Sequence, residues 1–381
     1  MLLPLTNEPR DYAWGSRTLI AALEGREPAV GPEAEVWFGD HPSDPSDLAD
    51  GRTLREWIAR EGAAHGVTEP LPYLLKLLAA ASPLSIQVHP SKAQAEEGFA
   101  RESDLPAGAP RNYADDNHKP EMIVALSDRF EALCGLRPVA DTQRLLAALG
   151  PAAAPLRERL TDDAALPGVL AWLLSGDARD DVSAIIAALD GAESTEFAGP
   201  LANARRIASV YPGDPGVVVA LLMNYTVLRR GEGMFLRAGL LHAYVSGLGV
   251  ELMAASDNVL RGGLTPKHID VDELLRVVDA TPGPVPVVLP VSAEGGNRGM
   301  ESFPAPVPDF RLLRARVSDG GEARLAPHGP AIVLATTGEV TVAAGDETVS
   351  LRPGRAAFVT PDAGEIRVRG AGEAYIAQPG A

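Results

Sequence analysis

Polar side chains with metal-binding chemistry occur in two stretches that otherwise look like buried strands. In residues 85–90 (SIQVHP), period-two alternation places Ser85, Gln87 and His89 on one face of a strand. Farther along, Glu121 opens an apolar run, and a carboxylate there is costly unless it is paired or bound to a metal. The alternatives are a strand whose polar face meets water and a turn of solvated polar residues.

Two later stretches add a histidine and a pair of cations. His242 follows a glycine turn and opens a predicted strand, although a lone histidine in apolar surroundings is more often a core residue. Glu251 lies in an apolar strand and again needs a partner. Arg261 and Lys267 flank a turn that could hold an anion between backbone N–H groups and two cations. A solvated charged turn is the alternative.

Taken together, the four stretches are more specific than any one of them. Two histidines, one glutamate and one glutamine offer mixed nitrogen and oxygen ligands to a borderline divalent cation. Zinc is the natural choice, with Mn²⁺ or Fe²⁺ as alternatives. Because thiolates are absent and a neutral amide is a weak ligand, we expect a catalytic site with a position open for water or substrate.

The composition limits the partners that such a site can serve. The 381 residues contain 34 Lys and Arg against 51 Asp and Glu, and the net charge of −17 disfavours nucleic acid and anionic membranes. The single cysteine, Cys134, excludes an intramolecular disulfide and fits a reducing compartment. Because neither a signal peptide nor an apolar run of about 20 residues is visible, we expect a cytoplasmic protein.

The distribution of apolar runs and turn residues along the sequence predicts three domains. Residues 1–138 and 223–282 alternate short apolar runs with turns and are expected to form one discontinuous β domain. Residues 139–222 are rich in Ala and Leu and indicate a helical insertion, whereas residues 283–381 carry closely spaced short strands typical of a β-sandwich or barrel. The individual predictions are strands over 35–39, 73–79, 83–89, 121–126, 226–228, 234–236, 250–254, 259–261, 310–317, 331–335, 339–343, 356–359 and 365–368, and helices after Ser16, Thr53 and Ser91 and over 270–278.

These motifs resemble those of a known family, the type I mannose-6-phosphate isomerases (phosphomannose isomerases), which are zinc-dependent members of the cupin fold. Residues 113–121 resemble one family signature and residues 242–267 resemble the other, and the similarity runs in order from about residue 10 to residue 280. The resemblance implies a mainly β fold with an α-helical insertion. Its parts would be a cupin-type β-barrel or jelly-roll catalytic domain, a helical domain and a second, C-terminal cupin-like β domain.

The resemblance also implies a reaction and the residues that perform it. The reaction is the reversible aldose–ketose isomerisation of mannose 6-phosphate and fructose 6-phosphate through a metal-stabilised cis-enediol, with one Zn²⁺ per chain. The implied residues are the metal ligands Gln87, His89, Glu121 and His242, the catalytic Arg261, and Ser85 and Lys267 at the phosphate end of the sugar.

The proton-shuttling base is not settled by the sequence. Its ideal pKa lies near neutrality, and the candidates are Glu251, Lys119 and a zinc-bound water, with His41 and Asp257 farther behind. We expect Glu251 to be essential, and we place Asp257 among the residues that bind substrate.

Two other functions use similar side chains. A metal-dependent cupin oxygenase would have a mixed His and Glu site with iron, but it would not need the cations at Arg261 and Lys267. A non-catalytic sugar-phosphate sensor would keep those cations and lose metal ligands. We expect a small sugar phosphate as the ligand and a monomeric protein, because no long apolar face is left unassigned.

Overall fold

Antiparallel β-sheet dominates the computed structural model, which describes residues 1–106, 108–294 and 297–380. The mainly β fold with a helical insertion is therefore confirmed. The strands, in chain order, are β1 (Leu2–Thr6), β2 (Glu35–Phe38), β3 (Asp47–Leu48), β4 (Tyr73–Ala80), β5 (Gln87–Val88), β6 (Glu121–Ala125), β7 (Phe130–Leu136), β8 (Met223–Leu228), β9 (Gly233–Leu236), β10 (His242–Ala254), β11 (Leu260–Arg261), β12 (Val287–Val288), β13 (Val291–Ser292), β14 (Met300–Phe303), β15 (Arg311–Val317), β16 (Glu322–Leu325), β17 (Ala331–Ala344), β18 (Glu347–Leu351), β19 (Ala356–Val359) and β20 (Ile366–Gln378).

Helices are concentrated between residues 139 and 222, as the Ala- and Leu-rich composition of this stretch predicts. In the residues described, none is long and apolar enough to cross a membrane. The α-helices are α1 (Leu19–Leu23), α2 (Leu54–Glu61), α3 (Lys92–Ser103), α4 (Val139–Ala147), α5 (Ala154–Arg159), α6 (Leu166–Leu174), α7 (Arg179–Ala188), α8 (Ala198–Val210), α9 (Gly216–Leu222) and α10 (Val271–Val277).

Side-chain caps explain where two of the predicted helices begin. Thr53 and Ser91 each accept a hydrogen bond from the backbone N–H three residues later, at Glu56 and Gln94. The side chain of each of those residues in turn accepts a hydrogen bond from the backbone N–H of its cap, which completes a capping box. The box at Ser91 starts α3 directly after the candidate ligand His89.

Strand β10 is the centre of the first sheet, which follows the path β11-β5-β10-β6-β9-β12. One part of β10 pairs with β5 and β7, and the rest pairs with β4 and β6. The second sheet follows the path β13-β14-β15-β20-β17-β19-β1-β3. Since β1 pairs with β19, the start of the chain is built into the sheet formed mainly by its C-terminal third. The division into three domains stays a prediction.

The helical block supports the back of the candidate site. Its core includes Ile86 and Val88, which alternate with the polar residues of the 85–90 stretch, and also Leu264 of the predicted anion turn. Burial of these apolar side chains on one side leaves Gln87 facing the opposite side.

Several strand predictions differ from the structure. The strand predicted over 83–89 is reduced to β5, because the residues before it bond to a turn: Ile86 donates its N–H to the carbonyl of Gly263. The strands predicted over 331–335 and 339–343 form one strand, β17, since Thr336 is accommodated in a bulge and the next two residues pair with β20. Strand β20 also continues well past the strand predicted over 365–368. In β7 the Cys-Gly pair interrupts the apolar pattern. The strands that were not predicted are β1, β3, β7, β12, β13, β14, β16 and β18.

Candidate active site

Three buried side chains converge at one end of a cleft. His89 follows β5, Glu121 opens β6 and His242 opens β10, and one potential ligand atom from each lies within 4.8 Å of the other two. The Nε2 atom of His89 lies 3.2 Å from Glu121 Oε1, and that of His242 lies 3.5 Å from Glu121 Oε2. This spacing suits a divalent cation bound between the three side chains.

The register of the strands brings the fourth predicted ligand to the same place. Gln87 lies directly opposite His242 in the β5–β10 pair, and it lines a cavity of about 60 Å³ together with Glu121 and His242. Its amide nitrogen donates to Ser85 Oγ at 3.1 Å. The amide oxygen is therefore the atom that remains available as a metal ligand. The four predicted ligands are thus brought together.

Outer hydrogen bonds orient both imidazoles for metal binding. The Nδ1 atom of His89 lies 2.7 Å from the carbonyl oxygen of Asn258, and that of His242 lies 2.9 Å from the carbonyl oxygen of Leu240. Each Nδ1 therefore carries a proton, and each Nε2 presents its lone pair to the space between the three side chains, where a cation would bind. The buried Nε2 of His89 has no hydrogen-bond partner among the described residues, as expected of an atom that serves as a metal ligand.

The charges around Glu121 favour the protonation states that a metal needs. Burial alone would raise the pKa of Glu121, but the positive charge of Lys119 holds it well below its usual range. The Lys119 ammonium lies 3.0 Å from Glu121 Oε1. Burial lowers the pKa of His89 to about 4. A charged carboxylate and a neutral imidazole are the ligand forms of these side chains.

The small cavity opens into a larger cleft of about 540 Å³. Ser85, Gln87 and Lys119 line both spaces, so the metal end and the cleft are continuous. Aromatic rings of the kind that often stack on sugars contribute to the cleft walls: Tyr12, Trp14, Trp37 and Tyr211.

Two cations also line the cleft. Arg261 lies opposite Gln87 in the β11–β5 pair and is half-buried, and burial lowers the pKa of its guanidinium. Lys267 lines the cleft from the exposed turn that follows. Neither cation forms an ion pair within the described part of the chain. Both are therefore available to an anionic ligand.

The backbone of that turn does not form the predicted anion cradle. The N–H groups of Leu264 and Thr265 already donate to the carboxylate of Asp214, at 3.0 and 3.2 Å. That part of the prediction is wrong, because a carboxylate from the helical block occupies the position expected for a bound anion. An anionic ligand must be held here mainly by side chains.

Glu251 belongs to a buried charge cluster that sequence reasoning missed in part. Lys76 Nζ lies 3.3 Å from Glu251 Oε2 and 3.9 Å from Glu35 Oε2, because β4 pairs with both β10 and β2. The ammonium also lies 4.9 Å from the centre of the Trp37 ring. Burial raises the pKa of Glu251. One signal was available, since Lys76 is a charged residue inside an otherwise apolar strand.

Asp257 lines the cleft but not the small cavity, and it pairs with the candidate base His41. His41 Nε2 lies 3.3 Å from Asp257 Oδ2, and this contact lowers the pKa of Asp257. Asp257 itself is exposed, whereas the His41 side chain is almost buried against the Trp37 ring. Asp257, with His41 as its partner, is thus placed to meet a hydroxyl group of a ligand in the cleft.

Comparison with known proteins agrees with this arrangement. The family described as phosphomannose isomerase type I, catalytic domain, matches residues 2–139. Mannose-6-phosphate isomerase from Salmonella typhimurium is 37% identical, with 97% of each chain covered, and the Escherichia coli enzyme is 38% identical with the same coverage. The human enzyme is 32% identical over 83% of this chain and 82% of its own.

Solved structures show the same fold. A variant of phosphomannose isomerase from Salmonella typhimurium superposes with a TM-score of 0.91 at 34% identity, with both chains fully covered. A mannose 6-phosphate isomerase bound with zinc and yttrium superposes with a TM-score of 0.89 at 35% identity, again over both full chains.

Proposed function

The chain belongs to the type I phosphomannose isomerase family, and we propose that its cleft interconverts mannose 6-phosphate and fructose 6-phosphate. One observation carries the proposal: buried metal-ligating atoms lie at one end of a continuous cleft that also presents two unpaired cations, Arg261 and Lys267. A sugar phosphate has the matching chemistry, because its carbonyl end needs polarisation and its phosphate end needs positive charge.

We assign the metal site to the four side chains around the small cavity. Gln87, His89, Glu121 and His242 would hold one Zn²⁺ per chain. When bound, the ion supplies a Lewis acid that polarises the sugar oxygens and stabilises negative charge on them. Because thiolates are absent and the Gln87 amide is a weak, neutral ligand, the ion would be able to accept a substrate oxygen as an additional, fifth ligand.

Proton transfer between C1 and C2 requires a group beside the metal ligands. Lys119 lines both the cavity and the cleft, whereas Glu251 lines only the cavity. We propose that Glu251 exchanges the proton, because burial raises its pKa towards the range in which a general base works well. Lys119 donates hydrogen bonds to developing negative charge on the substrate.

The phosphate end is assigned to three side chains. Lys267 and Arg261 supply positive charge, and Ser85 supplies a hydroxyl group at the junction of cleft and cavity. Because Arg261 lies opposite Gln87, it would also stabilise negative charge that develops near the metal, which is the catalytic role that the resemblance implies. Asp257, paired with His41, would contact hydroxyl groups of the sugar, since a carboxylate beside a phosphate would repel it.

The proposal is tested by a coupled assay for fructose 6-phosphate. The protein is stripped with a chelator, assayed, and assayed again after Zn²⁺ is restored. We expect activity only with metal, and full loss of metal-restored activity when all four ligands are replaced by Ala. The absence of activity in the zinc-loaded wild-type protein would contradict the proposal.

The other functions considered from the sequence are not favoured. The relatives matched over most of the chain are named as isomerases, which speaks against both an oxygenase and a sensor. The monomeric state and the cytoplasmic location stay predictions.

A further inference from the structure

The turn between Arg261 and Lys267 has a backbone conformation that needs support. Leu264 has φ of +56°, and among the described residues it is the one non-glycine residue with a positive φ. An L side chain strains the backbone in this region. Leu264 is nevertheless buried, so the turn must be held in place by its surroundings.

Asp214 provides that support from outside the sheet. It lies between α8 and α9 in the helical block, and its carboxylate accepts hydrogen bonds from the N–H groups of Gly216, Leu264 and Thr265 at 2.7, 3.0 and 3.2 Å. Hydrogen bonds to an ionised acceptor are among the stronger ones in proteins. A single side chain thus ties the first turn of α9 to the segment that carries Lys267.

Close backbone contact shows that the two segments fit each other tightly. A Cβ atom added to Gly263 would lie 2.5 Å from Gly216 Cα, and one added to Gly216 would lie 2.6 Å from the Leu264 nitrogen. Gly263 also has φ of +128°, so a side chain there would be doubly unfavourable. The start of α9 is therefore seated directly on the turn.

The same part of the helical block reaches the cleft itself. Tyr211 lines the cleft, and its hydroxyl donates to the carbonyl oxygen of Pro83 at 2.8 Å, two residues before Ser85. Segment 211–216 therefore touches both parts of the proposed phosphate end, the 83–85 stretch and the 262–267 turn.

We propose that Asp214 is a positioning residue for phosphate recognition. It does not touch the ligand; it fixes the strained turn so that Arg261 and Lys267 keep the spacing that one phosphate group requires. The helical block then sets the affinity of the cleft for phosphorylated sugars, while the metal end is unaffected. The identity of the substrate rests on the proposed function, but the positioning of the turn does not.

The test compares Asp214→Ala and Asp214→Asn with Asp163→Ala. Asp163 is a matched control, because it also accepts a backbone N–H, from Val139 at 2.8 Å, and does not line the cleft. Inorganic phosphate is the binding probe, measured by calorimetry and as a competitive inhibitor. Zinc content is measured for every variant.

For Asp214→Ala we expect KM for mannose 6-phosphate and the dissociation constant of inorganic phosphate each to rise about tenfold, as loss of hydrogen bonds to a charged group implies. Zinc content should change little, and kcat should fall less than KM rises, because Arg261 is also held in place by its pairing with β5. Asp214→Asn should show a smaller rise, because its amide oxygen still accepts some of the N–H groups. It also carries the test if the Ala variant fails to fold. Asp163→Ala should match the wild type.

Unchanged phosphate affinity in both Asp214 variants would overturn the proposal, as would a fall in kcat with KM unchanged. A wild-type protein that binds inorganic phosphate but does not isomerise mannose 6-phosphate would contradict the proposed function instead. In that case the calorimetric comparison would still decide the role of Asp214.

Discussion

The two ends of the cleft are built in different ways. At the metal end the ligands lie on or beside paired strands, and His89, Glu121 and His242 are at most 3% exposed. At the proposed phosphate end, Lys267 lies on an exposed turn at the sheet edge. The carboxylate of Asp214, from the helical block, accepts backbone hydrogen bonds from that turn. Paired, buried strands hold side chains in the fixed positions that bond-making chemistry needs, whereas an accessible turn lets a charged ligand enter and leave.

Removal of one metal ligand should give the largest effect. In His242→Ala we expect zinc affinity to fall by more than about 100-fold, since loss of even an outer-shell partner costs about 10–100-fold. Isomerase activity should fall to background, while the affinity for inorganic phosphate stays the same. Zinc per chain, the coupled assay and calorimetry measure the three quantities. A variant that keeps its zinc and its activity would contradict the assignment of His242 as a metal ligand.

The buried cluster of Lys76, Glu35 and Glu251 should contribute to the free energy of unfolding. Lys76→Met leaves Glu35 and Glu251 buried without their cation, and we expect the free energy of unfolding to fall by about 3–5 kcal/mol. Lys92→Met is the matched control, because Lys92 is half-exposed where it pairs with Glu96, and such pairs contribute about 0–1 kcal/mol. Denaturant unfolding of both variants makes the comparison. Equal losses would show that the cluster is not a distinct structural unit.

A conservative change at the phosphate end should affect binding alone. In Lys267→Arg we expect KM for mannose 6-phosphate to rise a few-fold at constant kcat, because a planar guanidinium does not replace a slim ammonium that acts as a point charge. Lys267→Ala should raise KM about tenfold. Steady-state kinetics test both variants. An unchanged KM in Lys267→Arg would mean that the choice of lysine at this position is coincidental.

Salt should give the smallest effect and should separate the two ends. The Debye length falls from about 30 Å at 0.01 M to about 10 Å at 0.1 M ionic strength, so the attraction between exposed Lys267 and a phosphate is screened. We expect KM to rise modestly over this range while zinc content stays constant. Salt-dependent loss of zinc, with KM constant, would reverse the assignment of the two ends.

The metal end could be predicted from the sequence because its signals are local. The alternation of polar and apolar residues across 85–89 predicts that Gln87 and His89 lie on the same face of a strand. Glu121 is conspicuous because a carboxylate at the start of an apolar strand needs a partner. The pairing of Lys76 with Glu35 and Glu251 could not be predicted, since it depends on which strands flank β4.

Long-range packing also explains the errors at the phosphate end. The N–H groups of the 262–267 turn were expected to bind a ligand, but Asp214, about fifty residues earlier in the chain, accepts two of them. Nothing in the local sequence indicates that a segment of the helical block is seated on this turn. Positions fixed by contacts between distant segments are the ones that local patterns do not predict.

The most direct test is a crystal structure of the protein with Zn²⁺ and mannose 6-phosphate, with anomalous scattering recorded at the zinc edge. We expect one zinc peak about 2.0–2.2 Å from Nε2 of His89, Nε2 of His242 and a carboxylate oxygen of Glu121. The phosphate group should lie between Arg261 and Lys267. A metal peak elsewhere, or a phosphate bound away from these two cations, would contradict the account.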